Sequence, residues 1–180
     1  MNWQPATRNP QLVTGNRQLK LNKRHTMGKE IERKFLLKTN KWKLKAEGRT
    51  RIKQGYLNTH KERTVRVRVR GNKAFLTIKG KTVGATRLEY EYPIPVAHAL
   101  DLLELCERPI IEKARYLVKI GKLTWEVDVF SGDNEGLALA EIELEREDQK
   151  ISIPRWIGKE VTGDPRYYNS SLVKTPFKDW

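Results

Sequence analysis

Acids and bases recur at every second residue along this chain, and they segregate by segment. Glu30, Glu32 and Lys34 alternate within KEIERKFLL (29–37), and Arg66, Arg68 and Arg70 within RTVRVRVRG (63–71). Glu126 and Asp128 do so in KLTWEVDVFSG (122–132), and Glu141, Glu143 and Glu145 in LALAEIELERE (137–147). Lys79, the set Arg87, Glu89 and Glu91, and the pair Lys113 and Arg115 follow the same spacing. A period of two places each set on one face of a strand. Grouped carboxylates suit a hard cation. Grouped guanidinium and ammonium groups suit phosphate oxygens. Together they suit a polyanion carrying a divalent cation.

The elements that must position these groups are mostly strands. RIKQGYLNT (51–59), NKAFLTIKG (72–80), TRLEYEYPI (86–94) and PIIEKARYLVKIG (109–121) join the four segments above to make eight. Gly71-Asn72 and Gly121-Lys122 read as tight hairpin turns. VAHALDLLELC (96–106) has its apolar residues at helical spacing. The end, from about residue 153, reads as short helices packed on the sheet. Opposite the charges lie apolar faces: Val65, Val67 and Val69; Leu88, Tyr90 and Tyr92; Trp125, Val127 and Val129; Ala140, Ile142 and Leu144. One such strand is an ordinary half-solvated strand. A succession of them, with Arg and Glu at strand centres, predicts a sheet curled into a barrel with its charges inward and its apolar faces covered by helices. Trp125, Trp156, Tyr116 and Phe130 read as packing residues. His25, His60 and His98 stand in no ligand spacing and read as surface positions.

The 180 residues suit one main domain with a real core, and the formal charge of +14 points to an anionic partner. The apolar runs are too short for a membrane span. Cys106 is the sole cysteine, which excludes an internal disulfide and a Cys-based metal site and fits a cytoplasmic protein. GKTVGAT (80–86) lacks P-loop spacing. Residues 1–26 differ in composition. They carry Arg8, Arg17, Lys20, Lys23 and Arg24 with no acid, and read as a basic, disordered extension. A chain begun at Met27 is therefore expected to keep fold and activity. Loss of either, by circular dichroism or assay, would make the arm part of the domain.

The motifs also resemble a known family. EIERKFL matches the E-x-E-x-K signature of the CYTH superfamily, the triphosphate tunnel metalloenzymes. KQGYL (53–57), VRVR, LTIKG, RLEYE, EKARY, WEVDVFSG and EIELE follow in that family's order. The likeness spans about residues 27–172 and is nearest to short bacterial inorganic triphosphatases. It implies a mainly β (α+β) fold, an eight-stranded antiparallel tunnel over residues 27–180 with a few flanking helices. It implies that Lys34, Arg66, Arg68, Lys79, Arg87, Lys113 and Arg115 hold the triphosphate. It assigns Glu30, Glu32, Asp128, Glu141 and Glu143 to Mg²⁺ or Mn²⁺, and makes Lys34 and Tyr56 a catalytic pair. The expected reaction is hydrolysis of tripolyphosphate to diphosphate and phosphate, by a monomer or homodimer in the cytoplasm. The same fold leaves thiamine-triphosphatase, nucleoside triphosphatase and adenylate cyclase open. A non-catalytic binder of polyphosphate, or of nucleic acid through the basic arm, is the rival of another class. Glu145, Arg70, Glu89 and Glu91 receive no role.

Overall fold

A computed structural model describes residues 30–60, 62–83 and 86–180. Residues 1–26 and the Met27 start lie outside them, and so do the side chains of Glu30 and Arg87. Nine strands form the sheet. They are β1 (Glu30–Leu37), β2 (Ala46–Asn58), β3 (Arg63–Arg70), β4 (Lys73–Val83), β5 (Thr86–Ile94), β6 (Ile111–Ile120), β7 (Leu123–Ser131), β8 (Ala138–Glu143) and β9 (Ile157–Glu160). Helix α1 (Val96–Glu104) follows β5, and α2 (Asn169–Lys174) lies near the end. Every pairing is antiparallel, in the order β5-β4-β3-β2-β6-β7-β8-β1-β9. The sheet curls back on itself, because its edge strand β5 also pairs with β1 through Glu30↔Arg87 and Ile31↔Thr86. Strands β1–β8 thus encircle the tunnel that the alternating charges predict. Gly71 and Gly121 make the expected hairpin turns, both at positive φ, where a Cβ would clash with its own backbone.

Several boundaries differ from the sequence reading. β2 starts at Ala46, after a 3-10 turn at Asn40–Lys45 that buries Trp42. β4 continues through Gly80 to Val83, so most of the segment read as a turn is strand. β8 ends at Glu143, which leaves Glu145 beyond the sheet. The C-terminal region is not only short helices: Ile157–Glu160 is a strand on β1. Arg33, the one charge out of phase in β1, explains its place there. Its guanidinium grips Glu160 of β9 through two hydrogen bonds of 2.8 and 2.5 Å.

The outward apolar faces are covered in two patches, only one of them by a regular helix. Ile31, Phe35, Val118, Trp125, Val127, Ala140 and Ile142 pack with Trp42, Trp156 and Ile157. Val67 and Ala74 pack under Ala99 and Leu103 of α1. The outer faces of β4 and β5 are barer, with Ile78, Leu88, Tyr90 and Tyr92 well exposed. A third cluster lies on the inner side. Tyr56, Ile111, Phe130 and Leu139 share sheet faces with the charged residues, and together with Leu137 they pack against Val161, Tyr167, Leu172 and Val173. The tunnel is therefore charged along part of its length and apolar at one end, where the C-terminal segment lies.

Candidate active site

Exposure along β1, β7 and β8 rises away from that apolar end. Asp128 is fully buried, whereas the side chain of Glu126 is 35% exposed. Glu141 is buried and Glu143 exposed, and Lys34 is better buried than Glu32. Pairing then sets acid against acid. Glu32 stands directly opposite Glu143, and Glu126 directly opposite Glu141. Like charges so placed repel, so cations must sit among them.

Protein bases fill that role. Lys34 Nζ lies 2.9 Å from Glu141 and 3.4 Å from Glu32, and donates to the Tyr167 carbonyl at 3.5 Å. Arg115 reaches Glu141 at 2.8 Å, Asp128 at 2.6 Å, and Glu126. Lys113 bonds Asp128 and reaches Asn169 Oδ1 at 3.5 Å. Burial works against the Lys34 ammonium, but the charges of Glu141 and Glu32 more than reverse this and hold its pKa above the ordinary lysine range. Burial also opposes the Glu141 carboxylate, yet Lys34, Lys113 and Arg115 keep its pKa well below the usual value. Lys34 is thus a fixed cation at neutral pH and Glu141 a fixed anion.

A second group lines β3–β5. Arg66 donates to Thr77 Oγ1 at 3.0 Å and lies 3.3–3.5 Å from Glu91 and Glu89; Lys79 meets Glu89 at 2.5 Å. Arg66 Nε is buried without a hydrogen-bond partner among the described residues. Arg68 bonds Gln54 Oε1 at 3.3 Å, and Gln54 Nε2 bonds the Tyr56 hydroxyl at 3.2 Å. Burial first, then the neighbouring Arg66 and Arg115, pull the Arg68 pKa down to about 10. A buried guanidinium disfavoured by its neighbours, beside an Arg66 nitrogen with no partner among the described residues, is a place where an anion would be stabilised.

The structure therefore gathers Glu32, Lys34, Lys113, Arg115, Asp128 and Glu141 into one network, with Glu143 beside Glu32. It places Arg66 and Lys79 in a second group and Arg68 with Tyr56 in a third. Among the described residues no three acids stand together as a ready-made cation cage. Glu30 and Arg87 pair in backbone register where β5 meets β1. Gln54 and Asn169 escaped the sequence reading, and Thr77, which alternation puts on the polar face with Lys79, received no role in it. Gln54 shares parity with Tyr56, so strict alternation could have found it, whereas Asn169 carries no such signal. His60 and His98 are exposed, as expected.

An antiparallel β-tunnel lined by paired acids and bases defines a class of phosphate-handling proteins. Residues 28–172 match the CYTH domain, and the chain belongs to this family. Among its relatives is an inorganic triphosphatase of Acetivibrio thermocellus, 54% identical over 155 residues, covering 86% of this chain and 99% of that protein. An inorganic triphosphatase of Nitrosomonas europaea is 40% identical over 152 residues, 80% of this chain and 96% of its own. The crystal structure of an inorganic triphosphatase superposes with a TM-score of 0.58 at 36% identity, covering 80% of this chain and 93% of its own. A Pyrococcus horikoshii protein, at 19% identity and a TM-score of 0.54 over 66% of this chain and 80% of its own, shares the fold alone. Among the described residues no helix is long and apolar enough to cross a membrane.

Proposed function

We propose that this protein hydrolyses inorganic triphosphate to diphosphate and phosphate in the cytoplasm, with a divalent cation, Mg²⁺ or Mn²⁺. The carrying observation is the buried Arg68, whose charge burial and the neighbouring Arg66 and Arg115 disfavour, beside Arg66, whose Nε has no hydrogen-bond partner among the described residues. The names of the two relatives point the same way.

In this reading Lys34, Arg66, Arg68, Lys79, Arg87, Lys113 and Arg115 grip the phosphate oxygens. Glu30, Glu32, Glu141, Glu143 and Asp128 are the cation's ligands. All are carboxylates, the ligand type a hard cation takes, and Glu32 and Glu143 face each other in register. A bound divalent ion supplies charge neutralisation at the transferring phosphoryl group. Asp128 also steadies Lys113 and Arg115. Lys34 remains an ammonium, and Tyr56 acts as a phenolate. Tyr56 takes the proton of the attacking water while the terminal P–O bond breaks toward diphosphate.

The test is phosphate release from tripolyphosphate, thiamine triphosphate and ATP, each with Mg²⁺, Mn²⁺ or EDTA. Cleavage of tripolyphosphate only with metal is expected. A preference for another substrate would move the assignment within the family. No release from any triphosphate under any metal would leave a binder. Arg68→Ala is expected to weaken tripolyphosphate binding by about 1.5–3 kcal/mol, the scale of a charged hydrogen bond. It should still unfold cooperatively near the parent's midpoint, because the relief of one repelling charge offsets the bond lost to Gln54. Calorimetric titration and a thermal melt check both.

A further inference from the structure

Gln54 is fully buried on the inner face of β2, directly opposite Arg68 and two residues from Tyr56 on the same face. Its neighbours fix the direction of its amide. The Nε of Arg68 can only donate, so the atom it meets at 3.3 Å must be the carbonyl oxygen. The amide nitrogen then points to the Tyr56 oxygen at 3.2 Å and donates to it. This occupies a lone pair of the phenol oxygen and turns the hydroxyl proton away from Gln54. It also strengthens when the phenol ionises, because a donor binds an anion more tightly than a neutral oxygen. The Tyr56 ring stays in the apolar cluster at the end of the tunnel. Its hydroxyl thus sits where packing ends and the phosphate grip begins.

We infer that Gln54 is a positioning residue, which aims the Tyr56 hydroxyl and ties it to the phosphate-gripping Arg68. The inference rests on Tyr56 as the base proposed above. A guanidinium held by phosphate keeps its Nε on Gln54, so the grip on substrate and the orientation of the base are linked. A glutamine that merely filled space and satisfied Arg68 would leave Tyr56 indifferent to its amide nitrogen.

Gln54→Glu separates these readings. Glutamate has the same size and still accepts from Arg68, but as a carboxylate it cannot donate to Tyr56. The Tyr56–residue 54 bond must reverse, with the phenol donating, which opposes ionisation. Tyrosinate absorbance against pH, as the difference between each protein and its Tyr56→Phe counterpart, isolates this group without metal or substrate. Charged or titratable groups on the neighbouring elements include Arg66 and Arg68 from β3, Lys113 from β6 with its partner Asp128 from β7, Tyr167 in the same cluster, and Lys34 from β1 at the Tyr167 carbonyl. They are common to both members of each pair.

The midpoint is expected to rise by about one pH unit or more in Gln54→Glu, a tenfold change in the ionised fraction. Turnover at neutral pH should fall about tenfold or more, recover as pH is raised, and show no added loss in a Tyr56→Phe background. Gln54→Met, which neither donates nor accepts strongly, carries the test if the glutamate variant does not fold. Titration and rate profiles identical to wild type would overturn the inference. If Tyr56→Phe itself turns over like wild type, the base reading falls first and this inference with it. A slow Tyr56→Phe beside an unaltered Gln54→Glu removes this inference alone.

Discussion

Turnover of Glu143→Gln is expected to fall by roughly 10²-fold or more, given that even outer-shell partners of a metal typically cost 10–100-fold. The fold should not suffer. Glu143 is exposed and stands directly opposite Glu32, so neutralising it relieves a like-charge pair. The loss should be partly restored by raising Mg²⁺ or Mn²⁺, because the variant lacks one carboxylate charge rather than the whole site. Metal-free binding of tripolyphosphate should survive, since the bases of the tunnel are untouched. Phosphate release and calorimetric binding, each with and without metal, read these outcomes separately. A variant as active as wild type would remove Glu143 from the cation's ligands. Equal loss of binding with and without metal would place Glu143 in the phosphate grip's support instead.

Tyr56→Phe is expected to bind tripolyphosphate normally and to turn over about 10²–10⁴-fold more slowly, the usual contribution of a positioned proton acceptor. The ring keeps its packing against Ile111, Phe130 and Leu139. What is lost is the hydroxyl that accepts from Gln54. A buried amide donor left unpaired costs about 1–3 kcal/mol of stability, so a modestly lower melting midpoint should accompany the slow rate. Steady-state kinetics should show the change in kcat rather than KM. Unchanged kcat would move the base to one of the tunnel carboxylates.

The eight tunnel strands were legible because charge and apolarity alternate with period two over long runs, as in VRVRVR and EIELE. β9 was not. IGKE is four residues with no alternation of its own, and it is a strand because Arg33 grips Glu160 and β1 offers its backbone, as when Val161 N–H donates to the Lys34 carbonyl at 2.8 Å. The acids and bases were assigned to one face from parity alone. Their partners were not, because contacts such as Arg115 with Glu141, across β6 to β8, depend on how the strands tilt around the tunnel. The apolar end was missed for a related reason. Leu36, Phe130 and Leu139 have the same parity as the charges, so they face inward too. Only the arrival of Tyr167, Leu172 and Val173 from the far end of the sequence makes their burial favourable.

That apolar end makes the tunnel a dead-end street for phosphate. Leu137, Leu139, Phe130 and Ile111 offer no donor, and Val161, Tyr167, Leu172 and Val173 pack with them. A chain of phosphates can be admitted only from the charged mouth and only by its tip, and products must back out the way the substrate came. With that end packed, a long polyphosphate is expected to be trimmed from its terminus rather than threaded. Cyclic triphosphate, which has the same atoms in a ring but no tip, is expected to be a poor substrate beside the linear form. Cleavage of the ring as fast as the chain would mean that this end opens.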